Sequence, residues 1–84
     1  MDETKEIVRR ARQFMHSLHQ SGASTEQSVF EGYRLIVALI KNETNESDAM
    51  EAAAYWTEEA VKKVGLDRET MMAEWAAQKA MVER

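Results

Sequence analysis

Two histidines one helical turn apart, His16 and His19, are the residues whose spacing comes nearest to suiting a metal ion. Imidazoles at i and i+3 share a helix face and can hold a divalent cation between them, but a stable site needs a third and a fourth ligand. Their neighbours Arg12, Gln13 and Gln20 do not supply these, and with the apolar stripe of this segment centred on Leu18, His16 points to solvent and His19 to the flank. We therefore expect no metal centre. Cysteine is absent, which removes thiolate ligands, disulfides and a cysteine nucleophile together. The sequence has no glycine-rich phosphate loop, no His-Glu-x-x-His or Glu-x-x-His pattern, and no serine in a nucleophile-elbow setting. With 84 residues there is also little room for a concave site beside a core. The expectation is a protein that is not an enzyme and carries no cofactor.

Charge is more informative than chemistry. Lys5, Arg9, Arg12 and His16 recur at i, i+4, i+7 and i+11, with Arg10 nearby, and so form one basic row along a helix. Such a row can meet phosphate or an acidic partner. Residues 1–25 carry four cations and three acids, and the remainder seven cations and twelve acids, so the net charge of −4 is unevenly distributed. That balance disfavours nucleic acid as the main partner, because phosphates repel an acidic surface. A second face gathers Tyr55 with Glu51, Glu58, Glu59 and Lys62. A tyrosine there can anchor a protein contact, since it buries a large area at little entropic cost. The expected protein-binding residues are thus Arg9, Arg12 and His16 on one side, and Glu51, Tyr55, Glu58 and Glu59 on the other. The internal methionines Met15, Met50, Met71, Met72 and Met81 suit either an adaptable groove or core filling.

The elements that must position these residues read as helices. Proline is absent and there are three glycines, so breaks come from Gly22, Gly65 and capping residues. The spacing of Ile7, Val8, Ala11, Phe14, Met15 and Leu18 predicts a helix over about residues 3–20 that ends at Gly22. Ser24 followed by Gln27 has the capping-box arrangement and opens a second helix over about 25–41. That helix carries two adjacent apolar seams. One is Val29, Tyr33, Ile36 and Ile40, and the other Ser28, Gly32, Leu35 and Leu39, with Phe30 and Val37 alongside the first. A stripe this wide belongs to a central helix or to one with a partner outside the chain.

The polar segment 42–47 is a loop. A third helix over about 48–64 is predicted to bury Ala49, Met50, Ala53, Trp56, Ala60, Val61 and Val64. A fourth, over about 68–82, presents Met71, Met72, Trp75 and Val82 inward, and Ala73, Ala77, Ala80 and Met81 on a second, smooth side. Between them Gly65 fits the end of the third helix and Asp67 the cap of the fourth, with Leu66 packing on both. Val61, Gly65 and Met71 also fit a helix-turn-helix spacing. The second helix of that motif, however, would bring Asp67, Glu69 and Glu74 against phosphates with only Arg68 to offset them.

The longest apolar run, residues 35–40, is far too short to span a membrane. The first ten residues are charged where an export signal needs an apolar stretch, so the Asn-x-Ser/Thr triplets at Asn42 and Asn45 read as chance matches, and a cytoplasmic location without membrane partners is expected. At 44% hydrophobic and 31% charged residues the chain is too apolar to be disordered. We expect an all-α fold, one helical domain over residues 1–84, forming a small bundle of four short helices. Its surplus apolar surface points to binding another protein as an inhibitor, adaptor or regulatory subunit. The Ser28, Gly32, Leu35 and Leu39 seam is the expected self-association face, most simply of a homodimer. The alternatives are a nucleic-acid-binding regulator that uses the first helix, and a structural subunit of a larger homo-oligomer.

Overall fold

The computed structural model describes residues 3–64 and 68–82. Four helices account for nearly all of them: α1 (Glu3–Gln20), α2 (Thr25–Ile40), α3 (Glu46–Lys63) and α4 (Arg68–Val82). They form an all-α helical bundle, and the apolar periodicity anticipates three of the four starts and the C-terminal limits to within a residue.

Local chemistry explains the boundaries. α1 ends in a Schellman motif: Gly22 adopts φ +100°, its N–H donates to His19 O at 3.2 Å, and the Ala23 N–H donates to Leu18 O at 3.0 Å. These two bonds satisfy carbonyls that the helix end would otherwise leave open. Ser24 then caps α2, its Oγ accepting from the Gln27 N–H at 3.1 Å. α3 begins two residues earlier than the sequence suggests, because Asn45 is the cap. Asn45 Oδ1 accepts from the Asp48 N–H at 2.8 Å, while Asn45 Nδ2 donates to Asp48 Oδ2 at 2.9 Å. The Gly65-Leu66-Asp67 corner lies outside the described residues. Val64, at its edge, is extended and buried.

α2 and α3 are the inner pair. Each packs against the other and against both remaining helices, whereas among the described residues the backbones of α1 and α4 stay more than 8 Å apart between Cα atoms. The wide stripe of α2 therefore has an intramolecular cause: the helix has three neighbours to cover it. Val29, Tyr33, Ile36 and Ile40 are all buried, together with Val8, Ala11 and Met15 of α1, Ala49, Ala53, Ala60 and Val61 of α3, and Met71 and Trp75 of α4. Phe14 and Met50, expected inside, are exposed, and Trp56 is only half-buried, because these side chains sit at the margin of stripes that the thin bundle does not close over. The molecule measures 33 × 32 × 18 Å. Its accessible surface of 5460 Å² exceeds the about 5,000 Å² usual for this mass, as a flattened body should.

The seam expected to join two copies has another use. Ser28 and Gly32 are buried within the chain, and a Cβ at Gly32 would stand 2.7 Å from Met15 Cγ, so the small residue makes room for α1. Leu35 and Leu39 are half-buried. The seam is an internal contact over half its length, and that half is not free for a second copy.

Candidate functional site

Two concave surfaces stand out, and the helices build them on different pairs. The first lies between the start of α2 and the end of α4. It is a cleft of 560 Å³ in which Phe30 and Met81 stand near Tyr33 and Trp75, with Glu26 and Gln78 also in its walls. Phe30 is 48% and Met81 72% exposed, while Trp75 is 2% exposed. The Tyr33 and Trp75 rings lie 5.8 Å apart and tilted. Gln78 Nε2 donates to Glu26 O at 3.1 Å, and the Tyr33 hydroxyl makes a long 3.5 Å bond to Met50 O. Burial pushes the Tyr33 phenol above its ordinary value of 10.0. The Trp75 indole N–H is buried and has no acceptor among the described residues.

This cleft was not visible in the sequence. Phe30 reads as a flank of one helix and Met81 as part of the smooth side of another, and nothing local joins positions some fifty residues apart. The signal that was present is the pair itself, two large apolar side chains that neither stripe needed.

The second surface brings the basic row together with residues of α3. Lys5, Arg9 and Arg12 of α1 line a hollow with Trp56, Glu59 and Lys63 of α3. Arg12 and Lys63 continue into a neighbouring hollow that includes His16. Arg12 and His16 are half-buried rather than fully solvated, because α3 rises beside them. Glu6 holds Arg9 through two hydrogen bonds, one of 2.8 Å to Nε, and lies 3.8 Å from Arg10 Nε. The bond from Arg9 keeps the Glu6 carboxyl below its ordinary value of 4.5. Lys5, Arg12 and Lys63 have no ion pair among the described residues.

The structure divides the second expected set. Glu51, Tyr55 and Glu58 share a hollow with Lys79, and Tyr55 is 56% exposed with its ring edge-on to Trp56 at 4.5 Å. Glu59 belongs instead to the basic hollow. The acidity around Tyr55 is also offset internally, since Glu58 faces both Lys62, at 3.9 Å, and Lys79, at 3.7 Å. Glu59 lies 3.5 Å from Lys62. Lys62 and Lys79 thus offset part of the acidity on the surface where Tyr55 stands.

Among the described residues no three His, Asp or Glu side chains come together as a metal would require, and no helix is long and apolar enough to cross a membrane. Comparison of the chain with protein families, with curated proteins and with solved structures yields no match.

Proposed function

We propose that this protein is a non-enzymatic binding module that seats a helical segment of another protein in the α2–α4 cleft, and acts as an inhibitor, adaptor or regulatory subunit by occluding that segment. The observation that carries this reading is the pairing of exposed Phe30 and Met81 with Tyr33 and Trp75 in one largely apolar hollow. An amphipathic helix buries its own apolar stripe in such a groove through anchors at i, i+3 or i+4, and i+7. The walls add a charge preference. Glu26 has no ion pair among the described residues, whereas Arg34, which lies over the Phe30 ring, is already held by Glu31 at 3.1 Å. A lysine or arginine flanking the apolar anchors of the partner fits this arrangement.

The test is photocrosslinking in the native host with benzoylphenylalanine in place of Phe30, followed by mass spectrometry of the adducts. One dominant adduct to a second protein, lost when Met81→Glu is added, is the expected result. Adducts confined to the chain itself would replace this reading with that of a homo-oligomer subunit, and an absence of adducts would end it.

A further inference from the structure

We propose that the hollow between α1 and α3 is a second docking surface, for an acidic amphipathic helix of a partner protein. It shares no residue with the α2–α4 cleft, and the argument for it does not depend on that cleft. Lys5, Arg9, Arg12 and Lys63 line it against the single carboxylate Glu59, with Val8 and Trp56 as its apolar part. Arg9 is held by Glu6, but Lys5, Arg12 and Lys63, which have no ion pair among the described residues, share the hollow with half-buried Trp56 and leave both an electrostatic and a hydrophobic demand unmet.

Length and spacing select the occupant. From Lys5 to Ser17 the surface follows α1 for about 18 Å, three turns of an opposing helix. Carboxylates one turn apart on that helix match the row Lys5, Arg9, Arg12 and His16, and apolar residues between them meet Trp56. A phosphate backbone fits less well. It presents charge about every 1.7 Å along a duplex and cannot avoid Glu59 in the hollow or Glu6 beside Arg9 at its margin, whereas a peptide can place its acids between them.

The experiment uses the full chain and a designed 15-residue helical peptide with Glu at i, i+4, i+7 and i+11 and Leu between, read by fluorescence anisotropy over a salt series. A short DNA duplex and a single-stranded RNA are titrated in parallel. Binding that weakens with salt, falls on the order of tenfold or more in Arg12→Glu with Lys63→Glu, and is unchanged in Phe30→Glu is expected. Recovery with a Lys-substituted peptide shows that the charge-reversed protein is folded; should circular dichroism show it unfolded, Arg12→Ala and Lys63→Ala singly carry the comparison. Failure of the peptide to bind, or equal binding by the folded variants, overturns the proposal. Tighter binding of either nucleic acid overturns it in favour of a phosphate partner. Self-association lost in the same variants overturns it in favour of a second copy.

Discussion

Gly32 shows how one hydrogen atom in place of a methyl sets the distance between two helices. Met15 Cγ and Sδ would lie 2.7 and 3.1 Å from an alanine Cβ there, and Met15 is itself fully buried and short of space to move. Alanine gains about 1 kcal/mol of helix propensity over glycine, but overpacking costs about 1–3 kcal/mol. Gly32→Ala should therefore destabilise the fold by about 1 kcal/mol in urea unfolding. In a Met15→Ala background the same change should stabilise it, and a cycle without coupling would show that the two side chains do not compete for space. The Arg9–Glu6 pair is a gentler case, exposed on both sides. With the Glu6 carboxyl lowered in the folded state, its contribution is present above the unfolded value and fades as pH falls through the folded one. In Arg9→Ala the Glu6 titration followed by carboxyl NMR should move up toward the ordinary range, because the first cause of its lowering is the hydrogen bond from Arg9.

Helix existence was legible from the sequence because each element carries a 3.6-residue apolar stripe, and the described caps, at the end of α1 and the starts of α2 and α3, are local in their chemistry. Ser24 and Gly22 do in the structure what their types predict. The start of α3 was misread for a related reason: in a run of Asn, Glu, Thr and Ser several residues can cap, and only the reciprocal Asn45 and Asp48 bonds choose between them. Asn45→Ala should cost about 1 kcal/mol, measured by tryptophan fluorescence in urea, and Thr44→Ala, beside the cap and exposed, should cost little. The division of apolar residues between core and surface was less legible. Periodicity assigns Phe14, Met50 and Phe30 to stripes, but whether a stripe's margin is covered depends on how many neighbours a helix has. α2 and α3 have three each and α1 and α4 two, and that number is a property of the assembled bundle. The same holds for the candidate sites: the row on α1 could be read from spacing, whereas Lys63 and Trp56 joined it only through packing.

Across the whole molecule, the flattened shape separates stability from recognition. The core runs through the inner pair, while Phe30 and Met81 lie at its edge and contribute little to it. Substitutions at such exposed positions usually change stability by about 0.5 kcal/mol or less. Phe30→Glu with Met81→Glu should therefore leave the melting temperature nearly unchanged while reducing the binding of a hydrophobic dye such as ANS; a large drop in melting temperature would place these side chains in the core.

The separation of the α1 and α4 backbones among the described residues carries one more implication. Each outer helix leans on the inner pair from its own side, so a guest held against one does not need the other to move. Two guests could then ride on the same small body with additive affinities, and a short rigid tether of this kind raises the local concentration of each for the other.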